Sequence, residues 1–239
     1  MKYLLFRLYG PMSSWGDIAV GETRPSFAHP TKSAVLGLIA AALGIRRDEE
    51  VKQQQLAENL GFAVCIESVG VPLADYHTAQ VPSGKERHCT RRQELSGEKS
   101  ELNTILSTRD YRCDGLHIIV LWQRKHDEWS IEQIKVKLEQ PEFVPYLGRK
   151  SYPAALPFEA QIVDTVSLAE ALAKGKFMSL HPFGFKPVGQ KMLYWDEDAV
   201  SGVTQQHVFE RRDLPLSRGR WQFDTRKECH AALRWPEET

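Results

Sequence analysis

Positively charged side chains stand beside glycine and proline turns near the N-terminus, and this combination suits phosphate binding. The loop GPMSSWG (10–16) is followed by Arg24 and by Thr31, a suitable N-cap residue. A helix beginning at Lys32 would place Lys32 and Ser33 in its first turn, where free N–H groups and the helix dipole attract anions. The expected chemistry is binding of an anionic polymer. An ordinary amphipathic core helix with an exposed lysine is the alternative explanation.

A second glycine turn with two cations lies at Gly148, Arg149 and Lys150. Glycine permits close approach of the backbone, and guanidinium and ammonium groups are the usual protein ligands of phosphate. Without further context, a solvated turn after a strand is the usual explanation of these residues.

Aromatic side chains near these cations could stack on unpaired bases. Trp15 lies in the glycine-flanked loop, and the pairs Tyr76–His77 and Arg109–Tyr111 border a long polar segment. If that segment is a hairpin, the two pairs lie close in space. Packing of Trp15, Tyr76 and Tyr111 against the protein is the alternative role for the rings.

The segment 75–112 has little hydrophobic periodicity and is too long for an ordinary connection within a compact domain. It carries the sequence KERHCTRR at 85–92, in which four cations stand close together in the chain and would repel one another unless an anion is near. We therefore expect an anionic partner for them; the cations are Lys85, Arg87, Arg91 and Arg92.

Composition argues against binding nucleic acid through overall charge, because 31 basic and 31 acidic residues give a formal net charge of zero. With 42% hydrophobic residues, the 239-residue chain can bury a substantial core. The four cysteines are widely spaced, which disfavours a zinc site and suits a reducing compartment. Nothing in the sequence resembles a signal peptide, so we expect a cytoplasmic protein. We also expect a protein that needs no metal or cofactor.

Hydrophobic spacing predicts an alternation of strands and helices. The predicted helices are Lys32–Leu43, Glu49–Asn59, Ile131–Leu138 and Leu168–Ala173. The predicted strands are Tyr3–Tyr9, Phe62–Ile66, Leu116–Trp122, Phe143–Leu147, Met192–Trp195, Val203–Phe209 and Trp221–Phe223.

Five segments in this order resemble the CasD subunits of Cascade, the RNA-guided surveillance complex of type I-E CRISPR systems, which belong to the RAMP superfamily. They are PMSSWG (11–16), TRPSFAHPTKS (23–33), ADYHTAQ (74–80), STRDYRCD (107–114) and PYLGRKSYP (145–153). The resemblance implies an α+β protein with a ferredoxin-like, RRM-type domain at 1–153. It also implies an inserted thumb hairpin at about 78–108. Residues 154–239 match no motif, and we expect a small β-rich C-terminal domain there.

The resemblance also implies the function, a non-catalytic RNA-binding subunit that holds the 5′ handle of the guide crRNA and caps the backbone assembly. Its partners would be the crRNA, the backbone, large and processing subunits, and target DNA through the assembled complex. The residues expected to contact RNA are Trp15, Arg24, Lys32, Ser33, Tyr76, His77, Lys85, Arg87, Arg91, Arg92, Arg109, Tyr111, Gly148, Arg149 and Lys150.

A metal-independent endoribonuclease that processes guide precursors is the alternative function, since a related branch of the superfamily has that activity. Such an enzyme needs a general base near the 2′-OH, a general acid and a cation. His77 with Tyr76 and Lys85, or His88, would have to supply these groups. An RRM-type binder outside CRISPR systems is disfavoured because the chain lacks the RNP1 motif.

Overall fold

The computed structural model describes residues 1–84, 87–97, 102–125, 129–180 and 190–233. In these ranges the chain folds into one large sheet with helices on both faces. The helices are α1 (Lys32–Leu43), α2 (Glu50–Asn59), α3 (Arg91–Glu94), α4 (Ile131–Glu139) and α5 (Leu168–Lys174). The strands are β1 (Lys2–Ser13), β2 (Thr23–Arg24), β3 (Leu60–Ser68), β4 (Val71–Pro82), β5 (Leu102–Gln123), β6 (Gln161–Asp164), β7 (Lys191–Asp196), β8 (His207–Ser217) and β9 (Gln222–Leu233).

The main path of the sheet runs β6-β1-β5-β3-β7-β9-β8, and every neighbouring pair on it is antiparallel. Strand β5 is long enough to have two roles. Its second half lies in the centre of the sheet between β1 and β3. Its first half pairs with β4 from Leu102 to Cys113, and the two form a long hairpin that extends from the sheet. The short strand β2 runs parallel to β5 at the base of this hairpin.

The core is divided between the two faces of the sheet. Alternate residues of β1, such as Leu4 and Phe6, pack under α1 and α4, while Tyr3 and Leu5 pack on the opposite face with α5. Because both faces of the central strands are covered, those strands are largely apolar on both faces, with Arg7 of β1 and His117 of β5 as buried exceptions.

Helix α1 has the bounds that its sequence predicts. The side chain of Thr31 accepts a hydrogen bond from the backbone N–H of Ala34, which caps the first turn, and Gly44 ends the helix with φ of 79°. The apolar residues at helical spacing are all wholly or partly buried, and Ile39 is fully enclosed; they are Val35, Leu36, Leu38, Ile39, Ala42 and Leu43. The sequence therefore determines this helix locally, through its cap, its stop and its apolar stripe.

The predicted strand Phe143–Leu147 is wrong. Tyr146 makes an isolated bridge to Pro153, and the backbone N–H of Leu147 donates to the carbonyl of Tyr152, so the segment folds back on itself as a loop. Pro145 removes a donor that a strand would need. The strand that completes this side of the sheet is β6, which pairs with β1.

The strands of residues 161–233 continue the sheet of the first 153 residues. Strand β6 pairs with β1, and β7 pairs with β3. Strand β9 then pairs with β7, and β8 pairs with β9 at the end of the path. The division into two domains at residue 153 stays a prediction about independent folding. No helix in the described part of the chain is both long and apolar enough to cross a membrane.

Candidate nucleic-acid interface

The two glycine turns singled out in the sequence are in contact. The backbone N–H of Ser14 donates to the carbonyl of Leu147 over 3.0 Å. Gly148 has φ of 88°, and a Cβ atom there would lie 1.8 Å from the carbonyl oxygen of Ser14. Only glycine fits both this backbone conformation and this spacing. The contact fixes the loop 145–153 on the loop 10–16 and sets Arg149 beside the start of α1.

A groove of about 610 Å³ opens where these loops meet the start of α1 and the hairpin of β8 and β9. Four of the predicted residues line it, namely Arg24, Ser33, Gly148 and Arg149. The β8–β9 hairpin supplies five more lining residues, Arg212, Asp213, Arg218, Trp221 and Phe223. We call this cavity the handle groove.

Arg149 is positioned by aromatic side chains at the base of the long hairpin. Its Nη1 donates to the hydroxyl of Tyr111 over 3.2 Å, and its guanidinium lies 5.0 Å from the centroid of the Tyr111 ring. Tyr111 is buried and packs edge-on against Tyr152, with 5.4 Å between ring centroids. Burial, and then the hydrogen bond with Tyr111, raise the pKa of Tyr152 to about 12. Tyr111 therefore packs within the protein and orients Arg149. Of the two roles that the sequence left open for this ring, base stacking and packing, the structure shows packing.

Arg24 stands directly opposite Arg109 where β2 pairs with β5. Arg24 is exposed and donates to the carbonyls of Gly21 and Thr23, and Arg109 donates to the hydroxyl of Ser107. In the described part of the chain neither guanidinium has a carboxylate partner. Like charges paired across strands are unfavourable unless an anion lies between them.

Lys32 is not available to a phosphate, and its predicted role needs correction. Its side chain is 1% exposed, and Nζ donates to Asp196 Oδ2 over 2.7 Å. Burial lowers the pKa of Lys32, against the influence of Asp196, which raises it. The backbone N–H of Lys32 donates to Asp213, so a carboxylate of the protein itself occupies the helix N-terminus. At the position where an anion site was expected, the Lys32 side chain forms a buried ion pair with Asp196.

Trp15 also needs correction. Its side chain is buried and packs edge-on against His117, with 5.9 Å between ring centroids. A base cannot stack on an enclosed ring. The apolar core under the loop 10–16 explains this residue.

The long hairpin brings the pairs Tyr76–His77 and Arg109–Tyr111 together, as expected, because Tyr76 is opposite Thr108 and His77 is opposite Ser107. Neighbouring residues of a strand point to opposite faces, so the exposed Tyr76 lies on the other face from His77 and Arg109. His77 Nε2 lies 2.8 Å from Asp75 Oδ2 on that face.

At the far end of the hairpin, Arg91 is paired with Glu94 over 2.6 Å and also donates to the carbonyl of Gln80. Arg87 and Arg92 are exposed and have no ion pair among the described residues. Lys85, the remaining cation of this cluster, lies outside the described residues. Lys150 is exposed and lines the cavity that adjoins the handle groove.

The residues that the β8–β9 hairpin contributes to the handle groove are not among those predicted from the sequence. They fall in the segment SRGRWQF (217–223), where a glycine is flanked by two arginines and followed by a tryptophan. The same signal, cations beside a glycine turn, had identified Arg149 and Lys150. Applied to residues 154–239, it would have identified Arg218 and Trp221 as well.

Comparisons with known proteins agree on one family. Residues 3–228 match the family described as CRISPR-associated protein (Cas_Cas5). The chain is 32% identical over 229 residues to the CRISPR system Cascade subunit CasD of Escherichia coli, and the match covers 95% of this chain and 94% of that protein.

Two solved structures are similar in fold. A chain of a CRISPR RNA-guided surveillance complex matches with a TM-score of 0.64 and 21% identity, over 97% of this chain and 89% of that chain. A structure described as the crystal structure of a Cas protein matches with a TM-score of 0.63 and 26% identity, over 97% and 94% of the two chains.

Proposed function

The chain belongs to the Cas5 family of CRISPR-associated proteins, and we propose that it is the subunit of a Cascade-type surveillance complex that holds the 5′ handle of the guide crRNA. One observation carries the proposal. Arg24, Arg109 and Arg149 lie at or next to one groove, none of them paired with a carboxylate in the described part of the chain. Guanidinium groups in such a position bind phosphate oxygens.

Within this fold, β1, α1, β3, β5, α4 and β6 form the proposed ferredoxin-like unit. The strand order β6-β1-β5-β3 and the packing of α1 and α4 on one face support it. The β4–β5 hairpin is the proposed thumb. Its cations Arg87, Arg91 and Arg92 would contact RNA or a neighbouring subunit of the backbone assembly, as would Lys85.

The proposed interface retains most of the residues chosen from the sequence. Phosphate contacts come from Arg24, Ser33, Arg109, Gly148, Arg149 and Lys150, and Tyr76 and His77 are proposed contacts of the thumb. Lys32, Trp15 and Tyr111 are excluded as direct contacts because they are enclosed. The proposed location is the cytoplasm, where the four cysteines stay reduced; none of them forms a disulfide.

Replacing Arg24 and Arg149 together with alanine should weaken guide binding by roughly a hundredfold, because two charge-assisted phosphate contacts are lost. The slope of log affinity against log salt should also become shallower by about 1.4. Both quantities can be measured by titrating the full chain, at several salt concentrations, into the labelled guide RNA that copurifies with the tagged complex.

The matched control replaces Lys125 and Lys174, two exposed cations away from the groove, with alanine. It removes the same charge and should leave the salt slope and guide retention unchanged. Wild-type affinity in the Arg24/Arg149 variant would contradict the proposed function. Equal losses in both variants would mean that the interaction depends on net charge rather than on this groove.

A non-catalytic role is part of the proposal. Tyr76 and His77 point to opposite faces of β4, so they cannot act together on one phosphate. His77 is bonded to Asp75, and His88 is exposed beside the thumb cations. We therefore expect the purified chain to leave repeat RNA intact in the presence of a metal chelator.

His77→Ala and His88→Ala should leave guide maturation unchanged in the assembled complex. The measurement is gel analysis of end-labelled repeat RNA, with a test for 2′,3′-cyclic phosphate ends. Metal-independent cleavage by the wild-type chain that either substitution abolishes would establish the endoribonuclease instead.

A further inference from the structure

Arg218 follows β8 directly, and its side chain lies between two cavities. One is the handle groove, and the other, of about 860 Å³, lies beside α1 and the loop 145–153. Nη2 of Arg218 donates to the backbone carbonyl of Ser33, while Nε is enclosed and has no partner. Burying a donor without a partner is costly, so the hydrogen-bonding and charge requirements of this guanidinium are only partly met by the described residues.

No carboxylate of the described residues neutralises Arg218. Among the described residues, the carboxylates lining the two cavities are Asp17, Asp48 and Asp213, and Asp213 is already bound by Arg226. The same described part of the chain lines these cavities with seven cations, Arg24, Arg46, Arg47, Arg149, Lys150, Arg212 and Arg218. Burial, and then the nearby charge of Arg47, lower the pKa of Arg218 to about 10. An anion at this position would favour the charged guanidinium and so raise its pKa against both effects.

Trp221 stands beside Arg218 and lines both cavities. Its side chain is 60% exposed, and its backbone has φ of 58°, a conformation that non-glycine residues rarely adopt. The guanidinium of Arg47 lies 4.5 Å from its ring centroid, and Phe223 packs edge-on at 5.4 Å. The ring is thus ordered by its neighbours and still open to solvent, as in the stacking platforms that bind single-stranded nucleic acid.

We propose that Arg218, Arg47 and Trp221 form a nucleotide subsite that binds one phosphate and stacks one base of single-stranded RNA continuing from the handle groove. This inference rests on the proposed function, because the RNA must already lie in that groove. A nucleotide fits better than an acidic peptide, because a nucleotide supplies an anion and a flat ring that lie next to each other.

The test uses the full chain and a fluorescein-labelled oligouridylate of about ten nucleotides, titrated at several salt concentrations. Arg218→Met should bind roughly tenfold more weakly and make the log–log salt slope shallower by about 0.7. Trp221→Ala should also bind roughly tenfold more weakly but keep the wild-type slope, because stacking releases no counterion.

Arg220→Met is the matched control, since Arg220 is exposed on the same turn and lines neither cavity. It should bind like the wild type. Thermal unfolding midpoints of all variants identify any that fail to fold. Trp221→Ala keeps the test decisive if Arg218→Met is unstable, because the ring is largely exposed.

The outcomes separate this inference from the proposed function when the Arg24/Arg149 variant is included. If that variant binds weakly while Arg218→Met and Trp221→Ala bind like the wild type, the proposed nucleotide subsite is wrong and the proposed binding of RNA in the handle groove is supported. If no variant differs from the wild type, both proposals fail. Normal RNA binding with loss of copurifying subunits in Arg218→Met would mean that the site takes a protein carboxylate, which also overturns the subsite.

Discussion

Replacing Arg226 with methionine should lower the free energy of unfolding by about 3 to 5 kcal/mol. The Arg226 side chain is 7% exposed and bridges three carboxylates, at 2.9 Å from Asp196, 2.7 Å from Asp213 and 2.6 Å from Glu228. These carboxylates keep the pKa of Arg226 above its usual value despite burial. Without the guanidinium, they would share fewer cations in a poorly solvated place, which is why the expected cost is large.

This substitution tests how the C-terminal strands are joined to the rest of the fold. Asp196 ends β7, Asp213 lies in β8 and Glu228 lies in β9. Asp196 also binds Lys32 of α1 and Arg124, which follows β5. The network therefore connects the start of α1 to the strands of residues 191–233, and its loss should loosen the wall of the handle groove.

The measurement is urea unfolding of the full chain, with tryptophan fluorescence as the signal. Lys227→Met is the matched control, because Lys227 is the next residue, is 58% exposed and pairs with the exposed Glu197. It should unfold at the wild-type urea concentration. If Arg226→Met also unfolds at the wild-type urea concentration, the buried network does not hold the start of α1 to the strands of residues 191–233.

The sequence predicted those parts of the fold that depend on local patterns. The cap at Thr31 and the glycine stop at Gly44 gave the bounds of α1 correctly. The same pattern could not predict the environment of Lys32, because its partners Asp196 and Asp213 are 164 and 181 residues away. A helix N-terminus attracts an anion in either case. Only the tertiary fold decides whether that anion is a ligand or a carboxylate of the protein itself.

The candidate site was predictable where resemblance and local chemistry pointed to the same residues, as at Gly148 and Arg149. It was not predictable for Trp15, since a glycine-flanked tryptophan looks the same in sequence whether it is exposed or enclosed. Arg218 and Trp221 were missed for a different reason. The resemblance ended near residue 153, and the path of the sheet that brings β8 and β9 beside α1 depends on long-range strand pairing.

Two buried histidines should make the protein strongly sensitive to acid. His29 Nδ1 donates to the carbonyl of Pro30, and its Nε2 accepts from Arg211 over 3.2 Å, so the ring is neutral. His117 Nε2 donates to the carbonyl of Ala28, while its Nδ1 is enclosed without a partner. Burial lowers the pKa of each ring from 6.5 to about 3.

The direction of the effect follows from these values. The unfolded chain takes up protons at both histidines as the pH falls below about 6.5, whereas the folded chain does so only near pH 3. Their contribution to stability is therefore complete above pH 6.5 and is lost as the pH falls towards 3. The limiting slope is about 1.4 kcal/mol per pH unit for each histidine, or about 2.7 for both.

Substitution of one ring isolates this contribution from that of the carboxylates, which also titrate in acid. His117→Gln should lower stability at pH 7, because it disturbs the packing under Trp15, and should reduce the slope of unfolding free energy between pH 6 and 4 by about 1.4 kcal/mol per unit. His88→Gln, a surface substitution, controls for loss of a histidine as such. Urea unfolding at half-unit pH steps measures the slopes. An unchanged slope in His117→Gln would mean that the ring accepts a proton in the folded protein, and that the loop over Ala28 opens to let water reach it.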